Sequence, residues 1–160
     1  MKTSLLIAML SWTAFAQTPV APPPATPYGL SISPEAAKKA AGAAIAEAAR
    51  NKWIMAIAVV DTGGYLVYFE RMPNTQLASV QIAIEKAKTA TLFRRPTKTF
   101  QDAIATGGEN LRFLSMTGVM PVDGGVPIVV DGKIIGAVGV SGGTSDQDGR
   151  IAQTGANAAK

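Results

Sequence analysis

The sequence has no histidine and no cysteine among its 160 residues. Each absence removes a class of chemistry. Without them there is no zinc finger, no thiol nucleophile and no Ser-His-Asp triad. Haem ligated by His or Cys is excluded as well. No remaining side chain titrates near neutral pH by default, so acid–base work would fall to a shifted carboxylate, Lys or Tyr. The missing cysteines do not fix the compartment, because a chain of this length buries enough surface to fold without disulfides. Charge is sparse too, at 16% of residues and a net +4. Small residues are abundant: 27 Ala and 16 Gly predict contacts made by close-packed backbone. The length and the 48% hydrophobic content fit one well-buried domain.

Residues 1–16, MKTSLLIAMLSWTAFA, join a positive start at Lys2 to an apolar run and end in Ala14-Phe15-Ala16. This is the pattern of a secretory signal peptide cleaved after Ala16. The run is far shorter than the roughly 20 residues of a spanning helix, and no other segment is long and apolar enough. The expected location is therefore secreted or periplasmic. Residues 17–32 hold Pro19, Pro22, Pro23, Pro24 and Pro27. So many prolines preclude a helix or central strand, and the segment reads as an arm or linker. The folded domain is expected over 33–160.

Ser33-Pro34-Glu35 is a helix start, and the Ala-rich helix runs to Arg50. Ile54 to Val60 is apolar throughout, as in a strand buried on both faces. Asp61-Thr62-Gly63-Gly64 supplies a turn, and Tyr65 to Arg71 returns as an antiparallel strand. Thr75 to Phe93 is a long helix whose core stripe reads Leu77, Val80, Ile84, Ala87 and Thr91. Another face mixes Ser79, Ile82, Lys86 and Thr89, as the wall of a pocket would. Thr97 to Thr106 is a second helix, and Leu111 to Thr117 has no defined pattern. Val126–Val130 and Lys133–Val140 form a hairpin about Asp131-Gly132. Gly136 and Gly139 mark a bulge, or a place where a backbone or ligand comes close. Ser145 is the expected cap of the last helix. The sum is an α+β domain with helices covering an antiparallel sheet.

Several segments, taken in order, carry a resemblance. They are Val59-Val60-Asp61-Thr62-Gly63-Gly64-Tyr65-Leu66-Val67, Arg71, Glu85-Lys86-Ala87-Lys88-Thr89-Ala90, Gly124-Gly125-Val126-Pro127-Ile128 and Ile135 to Gly143. Together they resemble the GlcG/HbpS family (DUF336) of haem-binding proteins, from about Ser33 to the end. The resemblance implies a profilin-like α/β fold with a five-stranded antiparallel sheet, and homo-oligomers from dimers to octamers. It implies a role in haem binding or degradation, or beside glycolate and diol metabolism. The usual His ligand is missing here. Haem would need Met, Tyr or Lys ligation, or apolar contact with its propionates paired to Lys or Arg. The candidates are Met55, Met72, Met116 and Met120, with Tyr28, Tyr65 and Tyr68.

The candidate ligand-binding residues are Arg71, Lys86, Thr89, Gly139, Ser141 and Gly142. Lys86 is also the candidate reactive group, with a structural ion pair as its alternative. Arg71 could clamp a carboxylate, or else make a salt bridge or a subunit contact. Asp61 reads as a turn residue. Asp146 and Asp148 read as first-turn acids rather than metal ligands, and no metal site is expected. Lys86, Lys88, Arg94, Arg95 and Lys98 cluster, but the small net charge, the lack of a motif and the signal peptide argue against nucleic acid. The leading reading is a secreted small-ligand-binding protein, with haem first among ligands. The alternatives are an enzyme acting on a small hydroxy acid, aldehyde or quinone, and an oligomeric interaction module.

Overall fold

The computed structural model describes residues 25–160. The signal-peptide pattern and Pro19 to Pro24 lie outside the described residues. The chain runs α1 (Pro34–Arg50), β1 (Ala56–Val60), β2 (Leu66–Arg71), α2 (Ala78–Leu92), α3 (Lys98–Ala105), a 3-10 helix (Gly108–Leu114), β3 (Gly125–Val130), β4 (Lys133–Ser141) and α4 (Ser145–Ala158). The sheet is antiparallel with order β2-β1-β4-β3. It has four strands where five were expected. Tyr28 makes only an isolated parallel bridge to Ile134 beside it.

The helix and turn signals act as their chemistry predicts. Ser33 accepts from the Ala36 amide at 3.2 Å and caps α1. Asp61 Oδ1 accepts from the Gly63 and Tyr65 amides and shapes the first hairpin. Asp131 and Gly132 both take positive φ, as a two-residue hairpin turn requires. The cap of α4 is Thr144, one residue before the expected Ser145. Thr144 and Gln147 close a reciprocal capping box.

The sheet has two unlike faces. One carries Ile57, Val59, Val126, Ile128, Val138 and Val140, and packs on α1 and α4. The other reads, row by row across the pairing, Ala56 and Ser141, then Ala58, Gly139 and Gly125, then Val60, Ala137 and Pro127. This small-residue face lets α2 lie with its backbone almost on the strands. A Cβ on Gly139 would meet the Ala83 carbonyl and sit 2.6 Å from the Ala87 amide nitrogen. A Cβ on Gly125 would run into the Lys86 carbonyl.

That closeness narrows the expected face of α2 to its small residues: Ala87 and Thr91 of the expected stripe are buried, and its large members are not. Its buried residues are Ser79, Ala83, Lys86, Ala87, Thr89, Ala90 and Thr91. Leu77, expected in the core, is 78% exposed, and Val80 and Ile84 are only half-buried. Where α2 presses nearest the sheet, Ala83 and Ala87 meet Gly139 and only small side chains fit; the long Lys86 side chain runs past Gly124 to α4. The Pro-rich segment also ends inside the domain. Ile32 is buried in the core, and Pro27, Gly29 and Ile32 hydrogen-bond with Ile134 and Ile135.

Candidate functional site

The expected pocket wall around Lys86 is filled by protein. Lys86 is 1% exposed. Its Nζ donates to Asp148 Oδ2 at 2.7 Å and to the Val140 carbonyl at 3.1 Å. Asp148 Oδ1 accepts from the Gly143 amide at 3.0 Å. The pair ties α2 to α4 past Gly124, where a Cβ would stand 2.8 Å from Nζ. Asp148 is thus the partner of Lys86 as well as a first-turn acid.

The other predicted residues are placed as follows. Thr89 Oγ1 donates to the Gly118 carbonyl and accepts from the Met120 amide, which pins that loop to α2. Ser141 Oγ donates to Ser79 Oγ at 3.2 Å. Gly139 faces α2. Gly142, at φ 152°, lies against the Ile54 carbonyl. Arg71 ends β2, exposed, in the same row as Ala56 and Ser141. Two strand spacings, about 10 Å, separate it from Ser141. Lys86, Thr89, Gly139 and Ser141 are therefore brought together as packing, while Arg71 stands apart in solvent.

Asp123 is a further buried carboxyl, 7% exposed. Burial pushes it above the usual aspartate range. The Gly124 amide and the charges of Lys98 and Lys86 oppose that shift, and Asp146 adds to it. A raised carboxyl pKa means that the folded state holds its proton more tightly than the unfolded chain. The ionised group therefore costs stability above the folded pKa, and the cost disappears as pH falls below the unfolded value. Asp123→Asn keeps an acceptor for the Gly124 amide. It should raise Tm at pH 7, and melts between pH 3 and 7 should show that gain shrinking toward zero at the acid end. A variant less stable than the parent at pH 7 would refute this account.

Two surface features remain. The first is the excursion from Gly107 to Val122. None of its residues is buried, yet it carries Leu111, Phe113, Leu114, Met116, Val119, Met120 and Val122. Phe93, Phe100 and Phe113 stack edge to face at 5.4 and 5.2 Å and hold its base. Arg112 lies 4.9 Å from the Phe113 ring. The second is a cavity of about 260 Å³ at the β3 edge, lined by Val126, Pro127, Val129, Ile134, Ala156, Arg94, Asn157 and Lys160 among others. Arg94 follows the α2 C-cap with φ 55°. The Arg94 amide donates to Thr91 O and the Arg95 amide to Ala90 O, so the helix ends in a Schellman motif. The Arg94 guanidinium lies 5.4 Å from the Tyr28 ring, and Tyr28 Oη donates to the Thr91 carbonyl at 2.8 Å. Sequence reasoning missed this cavity. The available signal was an arginine at a helix end that glycine ordinarily takes.

The structure also sorts the possible iron ligands. Met55 is fully buried, and Met72 packs against the same core. Tyr28 Oη donates to main-chain carbonyls, and Tyr68 Oη donates to Glu70 at 3.2 Å. Tyr65, Met116 and Met120 remain outside the core. Among the described residues no group of three or more acidic side chains is placed to hold a metal ion, and no helix is long and apolar enough to cross a membrane.

Comparison with known proteins places this geometry. The family model described as "Haem degrading protein HbpS-like" matches residues 32–157. Protein GlcG of Escherichia coli K12 is 44% identical over 95 residues, covering 59% of this chain and 69% of GlcG. The crystal structure of Klebsiella pneumoniae protein ORFY superposes with a TM-score of 0.77 at 28% identity, covering 82% of this chain and 92% of that one. The structure of a PduOC:heme complex superposes with a TM-score of 0.72 at 30% identity, covering 81% and 95%. The α+β sandwich, the ordered glycine motifs and the matched span agree, and the chain belongs to the HbpS-like family.

Proposed function

We propose that this chain is a small-ligand-binding protein that takes haem on the Gly107–Val122 excursion. In this reading it works as a homo-oligomer outside the cytoplasm, after loss of residues 1–16. The observation that carries the reading is the excursion itself: an apolar surface without a buried residue, holding two of the thioethers left outside the core. A relative crystallised as a heme complex supports the ligand. The export pattern at Ala14-Phe15-Ala16 supports the location. The resemblance to GlcG/HbpS proteins, which implies homo-oligomers, supports assembly.

The residues present fit haem at this place and not in the β3-edge cavity. That cavity is below the roughly 300–1,000 Å³ of sites for drug-sized molecules; its lining includes no Met or Tyr, and its one lysine, Lys160, already donates to Asn157 Oδ1. On the excursion, Met116 or Met120 would hold the iron, Leu111 and Leu114 would cover the macrocycle, and Arg112 would meet a propionate. Bound haem supplies a redox-active iron and a visible chromophore. Catalysis by Lys86 has no support from its placement, because its Nζ is held by Asp148 and Val140 away from any substrate.

Hemin titration tests the proposal. The parent should give a saturable Soret shift at micromolar protein. The Met116→Leu/Met120→Leu double variant should bind roughly tenfold more weakly or show a displaced band. No saturable shift in the parent removes haem. An unchanged band and affinity in the double variant removes thioether ligation, and with it the excursion as the haem site. Gel filtration of the same samples reads the assembly.

A further inference from the structure

We propose that the β3-edge cavity is a second binding site, for an amphiphilic monocarboxylate of about six to eight carbons. It shares no residue with the haem site proposed above. Its apolar side is made by the buried Val126, Ile134 and Ala156 with Pro127 and Val129. At about 260 Å³ it suits a ligand smaller than a drug.

The polar rim is set for an anion. Asn157 Oδ1 already accepts from Gln153 Nε2 at 3.1 Å and from Lys160 Nζ at 3.4 Å. Its amide N–H groups are what it still offers. The main-chain oxygen of Lys160 is engaged by Lys39 Nζ at 3.3 Å. Among the described residues no carboxylate lies within 4.0 Å of the Arg94 guanidinium. Residues 1–24 contain no Asp or Glu that would supply one. Arg94, Asn157 and Lys160 thus bring two cationic side chains, one of them already donating to Asn157 Oδ1, and an amide donor to one mouth, over an apolar floor. A carboxylate with a short hydrocarbon body answers both halves.

Arg94 adds an independent argument. It occupies the left-handed position of a Schellman motif, where glycine is the ordinary residue and any Cβ is unfavourable. An arginine there works against the helix end, so its worth lies in the side chain. The Tyr28 ring holds that side chain, and the same tyrosine caps the helix carbonyls. The guanidinium is therefore positioned before any ligand arrives.

The test is a methyl-detected NMR titration of the full chain with sodium octanoate and sodium benzoate, with 1-octanol as the neutral control. Saturable shifts are expected at Val126, Val129, Ile134 and Ala156, with 1-octanol at least roughly tenfold weaker. Arg94→Gly should lower carboxylate affinity roughly tenfold or more while Tm holds or rises. Arg94→Gln should lose affinity similarly. Three results would each overturn the site: no saturable shift up to about 10 mM ligand, shifts scattered away from the cavity, or Arg94→Gly binding as tightly as the parent. The hemin titration reads different residues, so either proposal can fail alone.

Discussion

Gly139→Ala is expected to destabilise the domain by about 3 kcal/mol or more, at or beyond the upper end for overpacking a core. The added methyl would strike the Ala83 carbonyl, 2.6 Å from the Ala87 nitrogen and 2.9 Å from the Ala87 Cβ. Two of these neighbours are helix backbone, which cannot rotate aside as a side chain can. Relief would require α2 to lift from the sheet along its length and open the contacts of Ala83, Ala87 and Ala90. For a domain of this size the loss corresponds to a fall in Tm of roughly 10 °C. Gly42→Ala is the matched control. It makes the same substitution at an exposed position of α1 with nothing within 4 Å of the new methyl. There the change should stabilise, by about 0.5–1 kcal/mol, through helix propensity. Opposite signs in two thermal melts are the expected result. A Gly139→Ala melt within a degree or so of the parent would mean that α2 does not approach the sheet as described.

The second large effect is at the buried pair. Lys86→Met should cost about 3–5 kcal/mol, because it strands the Asp148 carboxylate in an interior it cannot leave. Asp148→Asn should be costly for the reciprocal reason, since the Lys86 ammonium loses its counter-charge and one amide oxygen cannot serve both Lys86 Nζ and the Gly143 amide. The double variant removes both charges, and the asparagine retains an acceptor for the Gly143 amide. It should recover much of the loss, giving a coupling energy of about 2–3 kcal/mol in urea denaturation. Additive single losses, or a Lys86→Met cost below about 1 kcal/mol, would show that the pair does not join α2 to α4 in solution.

The legible parts of this protein were those governed by local chemistry. Ser33-Pro34, Asp61 to Gly64 and Asp131-Gly132 each place an element because their side chains or allowed φ angles act within a few residues. The buried face of α2 is legible only at Ala87 and Thr91, because periodicity gives weight to large apolar groups such as Leu77. The selecting partner lay elsewhere in the chain: Gly139 lies against Ala83 and Ala87 and Gly125 against the Lys86 backbone, about 40 to 60 residues on, and this approach leaves no room for large groups such as Leu77 at the contact. Lys86 was singled out, but its partner was not, because the two are 62 residues apart and no spacing connects them. Asp148 had a sufficient local role in the first turn of α4, which hid its distant one. The β3-edge cavity was hidden in the same way, since Arg94 and the α4 residues meet only through the sheet.

The order of the strands has a kinetic consequence. Each hairpin, β1 with β2 and β3 with β4, closes within its own short stretch of chain. The middle of the sheet, where Ala56 pairs with Ser141 and Val60 with Ala137, joins residues from the two ends of the domain. Closing so long a loop loses chain entropy that no local contact repays, so this central seam should form late and limit the folding rate. The same docking step brings α2, already tethered to the first hairpin, down onto Gly139 in the second. The small-residue face is thus a requirement for the two halves to meet at all, before it is a feature of the finished core.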